Sequence, residues 1–113
     1  MLEYKMFKTP MLKPSTIFEC GDFKVLEWRP TYKEFMAVKI QGLLEDSKTI
    51  KFNSFGILLN MGEDIELEVN GKEYFLKAKG VSLVVKGTSV KLNQGNYNLM
   101  ICLENEDHNI EIC

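Results

Sequence analysis

Asn70-Gly71 is the feature that most constrains how this chain folds. The dipeptide separates two alternating runs, Asp-Ile-Glu-Leu-Glu-Val at 64–69 and Lys-Glu-Tyr-Phe-Leu at 72–76. Asn-Gly readily adopts the two left-handed conformations of a type I′ turn, whose twist matches that of paired antiparallel strands. We therefore predict a hairpin with a two-residue turn; its expected pairs are Ile65 with Leu76, Leu67 with Tyr74, and Val69 with Lys72.

The two faces of this hairpin differ in polarity. All of the paired residues except Lys72 belong to one apolar face, because side chains alternate between the two faces of a strand. Glu66 and Glu68 belong to the opposite face. We interpret this acidic stripe as a solvated face rather than a metal site or a catalytic pair, since antiparallel sheets commonly expose one face to water.

The rest of the chain repeats short apolar runs between turn residues, a pattern typical of an all-β domain. The further predicted strands span 23–28, 35–40, 49–52, 55–59, 81–85, 89–92 and 97–103. Gln41-Gly42 and Glu45-Asp46-Ser47 predict a loop between the second and third of these runs. The runs Gly-Ile-Leu-Leu and Leu-Met-Ile-Cys-Leu are apolar at successive positions, which indicates strands covered on both faces by another sheet or by a partner subunit.

The N-terminal segment differs from this pattern. Residues 1–15 contain Pro10 and Pro14 and show no clean alternation, so we predict an extended arm that lies on the barrel or is exchanged with a neighbour. A chain of 113 residues is about one domain long. We therefore predict an N-terminal arm at 1–15 and a single β domain at 16–113.

Composition and charge exclude several classes of function. The formal net charge is −2, so we expect no nucleic-acid binding through this domain alone. No apolar run reaches the ~20 residues of a membrane-spanning helix, and the N-terminus has no secretory hydrophobic block. We expect an intracellular protein, cytoplasmic or nuclear, without membrane contact.

Three cysteines at wide, irregular spacing do not form a disulfide framework, which also favours a reducing compartment. Cys20 and Cys102 lie in or beside apolar runs, so we predict that both are buried as small hydrophobic residues. Cys113 ends the sequence and is expected to be exposed.

Residues 55–92 resemble the cupin superfamily. Gly62, Asn70-Gly71, Leu76 with Gly80, and Gly87 stand where cupins have a strand ending in glycine, a hairpin, a Leu-x-x-x-Gly turn and a later glycine turn. The resemblance implies an antiparallel jelly-roll, a cupin-like sandwich barrel. In metal-binding cupins the first motif supplies histidines and a glutamate, and the second supplies another histidine.

The positions that correspond to those ligands carry other residues in this chain. Thr49, Lys51 and Phe55 stand near the places of His, His and Glu; Lys86 stands near the usual proline and Lys91 near the last histidine. None of these is an imidazole, and a lysine would repel a cation. We therefore expect no metal ion and no other cofactor.

The sequence also lacks the groups of common catalytic sites. The chain has one histidine, His108, in a polar segment, which we interpret as an exposed residue of a loop. A triad built on a serine or cysteine would have to use it, and the flanking sequence resembles no nucleophile elbow. Phosphate-binding glycine motifs are absent as well. We therefore predict that the protein is not an enzyme and has no catalytic residues.

Two families resemble the chain more particularly. Trp28-Arg-Pro, the run from Lys33 to Ile40, and the run from Lys79 to Val85 are similar to the C-terminal domain of type I mannose-6-phosphate isomerases. In that family the zinc and substrate residues lie in another domain, so this resemblance implies no isomerase activity. A weaker resemblance, in which Gly87-Thr-Ser-Val replaces the usual turn, is to the dimerising cupin at the C-terminal end of centromere protein C.

These observations predict a non-enzymatic module for homodimerisation or for interaction with another protein. The alternatives are a non-catalytic barrel of the mannose-6-phosphate isomerase type and a small-ligand-binding cupin in which Lys51 and Lys91 face inward to hold an anion. Apolar residues of the central strands are candidates for the interface, with intrachain core as the competing interpretation: Phe52, Phe55, Ile57, Leu59, Met100 and Leu103. Trp28, Arg29 and Tyr32 form a second candidate, because Trp, Arg and Tyr are enriched at binding hot spots.

Overall fold

The structure is a computed structural model that describes residues 13–30 and 34–113. These residues form eleven strands and no helix. The strands are β1 (Ser15–Cys20), β2 (Phe23–Trp28), β3 (Phe35–Leu44), β4 (Lys48–Phe52), β5 (Gly56–Asn60), β6 (Ile65–Val69), β7 (Lys72–Leu76), β8 (Val81–Val84), β9 (Thr88–Leu92), β10 (Gly95–Glu104) and β11 (Ile110–Ile112). No helix in these residues is long and apolar enough to cross a membrane.

The strands form two antiparallel sheets. The six-stranded sheet has the order β1-β2-β3-β10-β5-β8, and the five-stranded sheet has the order β11-β4-β9-β6-β7. Consecutive strands often lie in different sheets, as β3 and β4 do, so the chain crosses repeatedly between the two layers. This arrangement confirms the predicted all-β, jelly-roll type of sandwich.

The predicted hairpin is confirmed in register. Ile65 pairs with Leu76, Leu67 with Tyr74 and Val69 with Lys72. Asn70 and Gly71 have φ angles of 50° and 84°, the left-handed values that the type I′ turn requires. The turn dipeptide therefore fixed both the loop and the pairing on either side of it.

One predicted loop is shorter than expected, and two strands were not predicted. β3 continues through Gln41-Gly42 to Leu44, so the turn begins only at Glu45. Gly42 permits this because it has a φ of 102°, and a side chain there would collide with the backbone carbonyl of Asp22. β1 and β11 were not predicted; both are edge strands of their sheets, and β11 has only three residues.

The arm remains a prediction. β1 begins at Ser15, next to the predicted boundary of the β domain. Residues 1–12 lie outside the described part of the chain, so the fold neither supports nor contradicts an arm there.

The interior between the sheets is filled by large apolar side chains from both layers. The largest fully buried ones include Phe23, Ile40, Phe52, Leu92, Leu99 and Ile101. Buried residues of this kind alternate with exposed or half-buried ones along the long strands β3 and β10. Large apolar side chains from both layers therefore fill the space between the sheets along these strands.

Candidate interaction surface and the open corner of the sandwich

The residues that correspond to cupin metal ligands do not line the interior. Thr49 and Lys51 alternate with the buried Ile50 along β4, so they belong to the outer face of the five-stranded sheet. Lys91 is likewise exposed and lies 3.6 Å from a carboxylate oxygen of Glu68. The prediction that Lys51 and Lys91 face inward to hold an anion is therefore wrong, because strand alternation turns both outward.

The outer face of the five-stranded sheet is polar. Glu111 pairs with Lys51 in the ladder between β11 and β4. Lys91 on β9 stands opposite Glu68 on β6, which in turn stands opposite Glu73 on β7. This face has the charged character expected of a sheet in contact with water.

Part of the outer face of the six-stranded sheet is apolar instead. One row of cross-strand neighbours passes through five strands without a charged residue; it consists of Trp28, Ala37, Cys102, Ile57 and Leu83. Leu83 is 77% exposed and Ile57 is 49% exposed. Water therefore contacts large aliphatic side chains in the middle and at one edge of this sheet.

A second row lies beside the first. Val81, Leu59 and Met100 follow one another on β8, β5 and β10, and the row continues through Lys39 to Leu26. Val81 is 63% exposed, whereas Leu59 and Met100 are half-buried. We call the residues of these two rows, Lys39 excepted, the apolar face.

The structure separates the predicted interface residues into different groups. Phe52 and Leu103 are buried in the chain's own core, so their assignment to an interface was wrong and the competing interpretation applies. Ile57, Leu59 and Met100 belong to the apolar face. Phe55 is 49% exposed and lies just before β5.

The residues of the second predicted interface, Trp28, Arg29 and Tyr32, also differ in their surroundings. Trp28 belongs to the apolar face, at the end of β2, and is half-buried. Tyr32 lies outside the described residues, so its predicted role is untested. Sequence reasoning missed the most exposed apolar residues, Val81 and Leu83, because the run 81–85 does not show which of its positions face the core.

The prediction that Cys20 and Cys102 are buried was wrong. All three cysteines are free thiols and exposed. Cys102 alternates with the buried Ile101 and Leu103 along β10, which places its thiol on the apolar face. The run at 99–103 is apolar at every position, so its sequence does not show that Met100 and Cys102 point outward.

Arg29 forms hydrogen bonds to the loop between β10 and β11 at one end of the sandwich. Its guanidinium donates hydrogen bonds to Oδ1 of Asn105 at 2.6 Å, to the carbonyl of Glu106 at 3.0 Å and to Oδ1 of Asn109 at 2.7 Å. It also lies 3.6 Å from a carboxylate oxygen of Glu27. These contacts connect the end of β2 to the segment between β10 and β11, so they give Arg29 a structural role.

Replacing Arg29 with alanine is expected to lower the free energy of unfolding by about 1 to 3 kcal/mol, because several charge-assisted hydrogen bonds are lost at a partly exposed site. Urea denaturation measures this change. Lys24→Ala is the control, since Lys24 makes one exposed ion pair with Glu19 and its loss is expected to cost less than about 1 kcal/mol. Equal stability of the two variants would contradict a tethering role for Arg29.

The sandwich is open at one corner. β7 and β8 are the last strands of their sheets on the same side. Tyr74 pairs with the buried Leu67 and so belongs to the inner face, yet it is 55% exposed. Between these strands lies a groove of about 640 Å³, which we call the open corner.

The described residues contain no group of three or more His, Cys, Asp or Glu side chains placed to hold a metal ion. His108 is exposed, with a φ of 52°, and lies in the turn before β11. Burial raises the pKa of the Tyr97 hydroxyl, which donates a 2.6 Å hydrogen bond to the carbonyl of Asn93.

No protein-family model matches the chain, and no curated protein matches it. Several solved structures are similar to the chain. Streptomyces Pac13, in a structure with uridine, is similar with a TM-score of 0.68 at 7% sequence identity, over 94% of this chain and 91% of that chain. Pac13 is described as a nucleoside dehydratase.

Two further structures are similar to the chain. Vicilin from Capsicum annuum gives a TM-score of 0.65 at 8% identity, over 88% of this chain and 32% of that chain. A protein of unknown function from Vibrio parahaemolyticus gives 0.58 at 11% identity, over 83% of this chain and 98% of that chain. The resemblances to mannose-6-phosphate isomerase and centromere protein C rest on sequence motifs alone. At these identities the comparisons show the fold, and the fold of this chain is a cupin-like antiparallel β-sandwich.

Proposed function

We propose that the protein is a non-enzymatic module that forms homodimers through the apolar face of its six-stranded sheet. The observation that carries this proposal is the difference between the two outer faces. The outer face of the five-stranded sheet is charged, whereas the apolar face presents a five-strand row without a charge. Large exposed apolar surfaces on soluble proteins commonly mark interaction sites.

The geometry of the apolar face suits a second copy of the chain. Two-fold symmetry brings the same surface patch of both subunits together, so each apolar row meets an equally apolar row. Sheets that pack face to face do so through such side chains. Among the described residues, β8 is the edge strand at the border of the face.

The proposed absence of catalysis rests on the packed interior and on the side chains that face it. Ile50, Phe52, Val90 and Leu92 occupy the inner positions of β4 and β9, and none of them transfers protons or holds a cation. The dehydratase activity described for Pac13 is not carried over, because 7% identity supports the fold alone. The exposed free thiols agree with the proposed intracellular location.

Light scattering at micromolar concentration tests the proposal. We expect a mass of twice 13.0 kDa for the unaltered protein. Leu83→Glu places a charge in the proposed interface, and burying an unpaired charge is expected to weaken dimerisation about 30-fold or more. Thr49→Glu is the matched control, because it adds the same side chain to a strand on the outer face of the other sheet. It is expected to remain dimeric.

Cys102 provides a second measurement of the same interface. In a variant with Cys20→Ser and Cys113→Ser, alkylation of Cys102 is expected to slow as the protein concentration rises, because dimerisation would cover the thiol. The same variant carrying Leu83→Glu is expected to react at a constant rate. A monomeric mass for the unaltered protein, or a dimer that Leu83→Glu leaves intact, would contradict this use of the apolar face.

A further inference from the structure

The open corner is a place where the interior of the sandwich is not closed. Tyr74 of β7 and Ser82 of β8 both face inward, because their ladder partners Leu67 and Leu58 are buried. Both are nevertheless exposed. The inner faces of two packed sheets normally exclude water through interdigitated side chains. The described residues of this chain leave that space unfilled between β7 and β8.

The size and walls of the open corner suit a small molecule. Its volume of about 640 Å³ lies within the range of roughly 300 to 1,000 Å³ that is typical of ligand sites. Leu58, Leu67, Val84 and Val90 form an apolar floor that continues the core. A flat protein partner would meet the outer face of the sheet, whereas this groove is concave and leads between the layers.

Polar groups collect at one end of the open corner. Asn70 is connected to Ser89 by two hydrogen bonds, one from each backbone N–H, and this brings the turn between β6 and β7 against the start of β9. Lys86 and Thr88 line the same end, at the turn between β8 and β9. No acidic residue appears among the described residues that line the groove. Lys86 therefore gives this end a positive charge.

The other end of the open corner is apolar. Leu76 ends β7 and Val81 begins β8, and the two are joined by the short turn at 77–80. Both residues line the groove. The open corner thus has an apolar floor, with a single cation at one end.

We propose that the open corner binds an amphiphile that has an anionic head group and an aliphatic tail, such as a fatty acid of medium chain length. The tail lies on Leu58, Leu67 and Val90, and the carboxylate faces Lys86 at the β8–β9 turn. β8 has four residues, and at ~3.3 Å per residue it accommodates a tail of about 13 Å. Val81 and Leu83 of β8 border both the open corner and the apolar face, but the residues proposed to hold the tail and the carboxylate belong to neither apolar row. The proposal therefore does not depend on dimerisation.

Calorimetric titration with decanoate, below its micellar concentration, tests the proposal. Decyltrimethylammonium has the same tail with a cationic head, and we expect it to bind at least tenfold more weakly, because Lys86 would repel it. Ser82→Trp fills the open corner with a large side chain and is expected to reduce decanoate affinity at least tenfold. Lys86→Glu is expected to reduce it by a similar factor and to remove the preference for the anionic head.

Lys51→Glu is the matched control, since Lys51 is an exposed lysine on the outer face of the five-stranded sheet; its affinity for decanoate is expected to be unchanged. Amide spectra of each variant establish that it is folded, and Lys86→Glu alters only an exposed turn. Absence of decanoate binding at millimolar concentration, or equal binding of both head groups, would overturn the proposal. So would unchanged affinity in Ser82→Trp. If the unaltered protein does not bind decanoate and Ser82→Trp changes the molar mass measured by light scattering, the open corner is a contact between subunits instead.

Discussion

Replacing Phe52 with alanine is expected to lower the free energy of unfolding by about 3 to 5 kcal/mol. Phe52 is 1% exposed and comes from β4, where its ring packs in the core between the two sheets. Removal of the ring loses its transfer free energy and leaves a cavity that rigid strands on both sides cannot close. Urea denaturation at constant pH measures the change.

Phe55→Ala is the matched control for this prediction. Phe55 has the same side chain three residues further on, but about half of it is exposed before β5. We expect its replacement to cost about 1 to 2 kcal/mol, because only about half of the side chain is buried and no enclosed cavity is left. If the two variants were equally stable, the position of Phe52 in the core would be wrong.

Replacing Asn60 with alanine is expected to destabilise the fold by about 3 to 5 kcal/mol. Asn60 is fully buried, and its Nδ2 donates to the carbonyls of Glu63, Leu76 and Lys77 at 2.8 to 3.2 Å. Its Oδ1 accepts a 2.9 Å hydrogen bond from the N–H of Gly62. Alanine would leave these backbone groups without their partner, and each such loss costs about 1 to 3 kcal/mol when water does not replace it.

Two further variants test whether the loss of stability comes from the hydrogen bonds of Asn60. Asn60→Asp has the same shape and can still accept from Gly62, but its carboxylate cannot donate to the three carbonyls. It is therefore expected to be at least as destabilising as alanine at neutral pH. Asn53→Ala removes side-chain hydrogen bonds to His108 and Glu111 at a more exposed site and is expected to cost about 1 kcal/mol. Thermal unfolding of all three variants gives the ranking, and a mild effect at Asn60 would contradict its role as a buried tether.

Local chemistry was sufficient for much of the strand pattern. The Asn70-Gly71 turn fixed the register of β6 and β7 without knowledge of the other strands, because a two-residue turn leaves one alignment of its flanks. The strand at 23–28 was also predicted with its observed bounds. β1 and β11 were not predicted from the sequence. β11 alternates Ile110, Glu111 and Ile112 but is only three residues long, and β1 has a single half-buried residue, Phe18.

The candidate sites could be predicted only in part. Ile57, Leu59 and Met100 were predicted as interface candidates and lie on the outer face, where an interface remains a prediction; Phe52 and Leu103 were grouped with them although they belong to the core. In runs that are apolar at every position, composition does not reveal which alternate residues face inward. The same ambiguity produced the wrong assignment of Cys102 as buried. The inward orientation of Lys51 and Lys91 belonged instead to the cupin alternative, and the strand alternation turns both side chains outward.

The amino-acid sequence by itself determined that this chain forms short antiparallel strands, where they turn, and how the central hairpin is aligned, because these follow from backbone conformation and side-chain periodicity over a few residues. Only the tertiary structure decided which faces of those strands meet. The packing of two sheets directs Phe52 inward and Leu83 outward, and it leaves one corner open beside Tyr74. These outcomes depend on neighbours that are distant in sequence, and no local pattern encodes them.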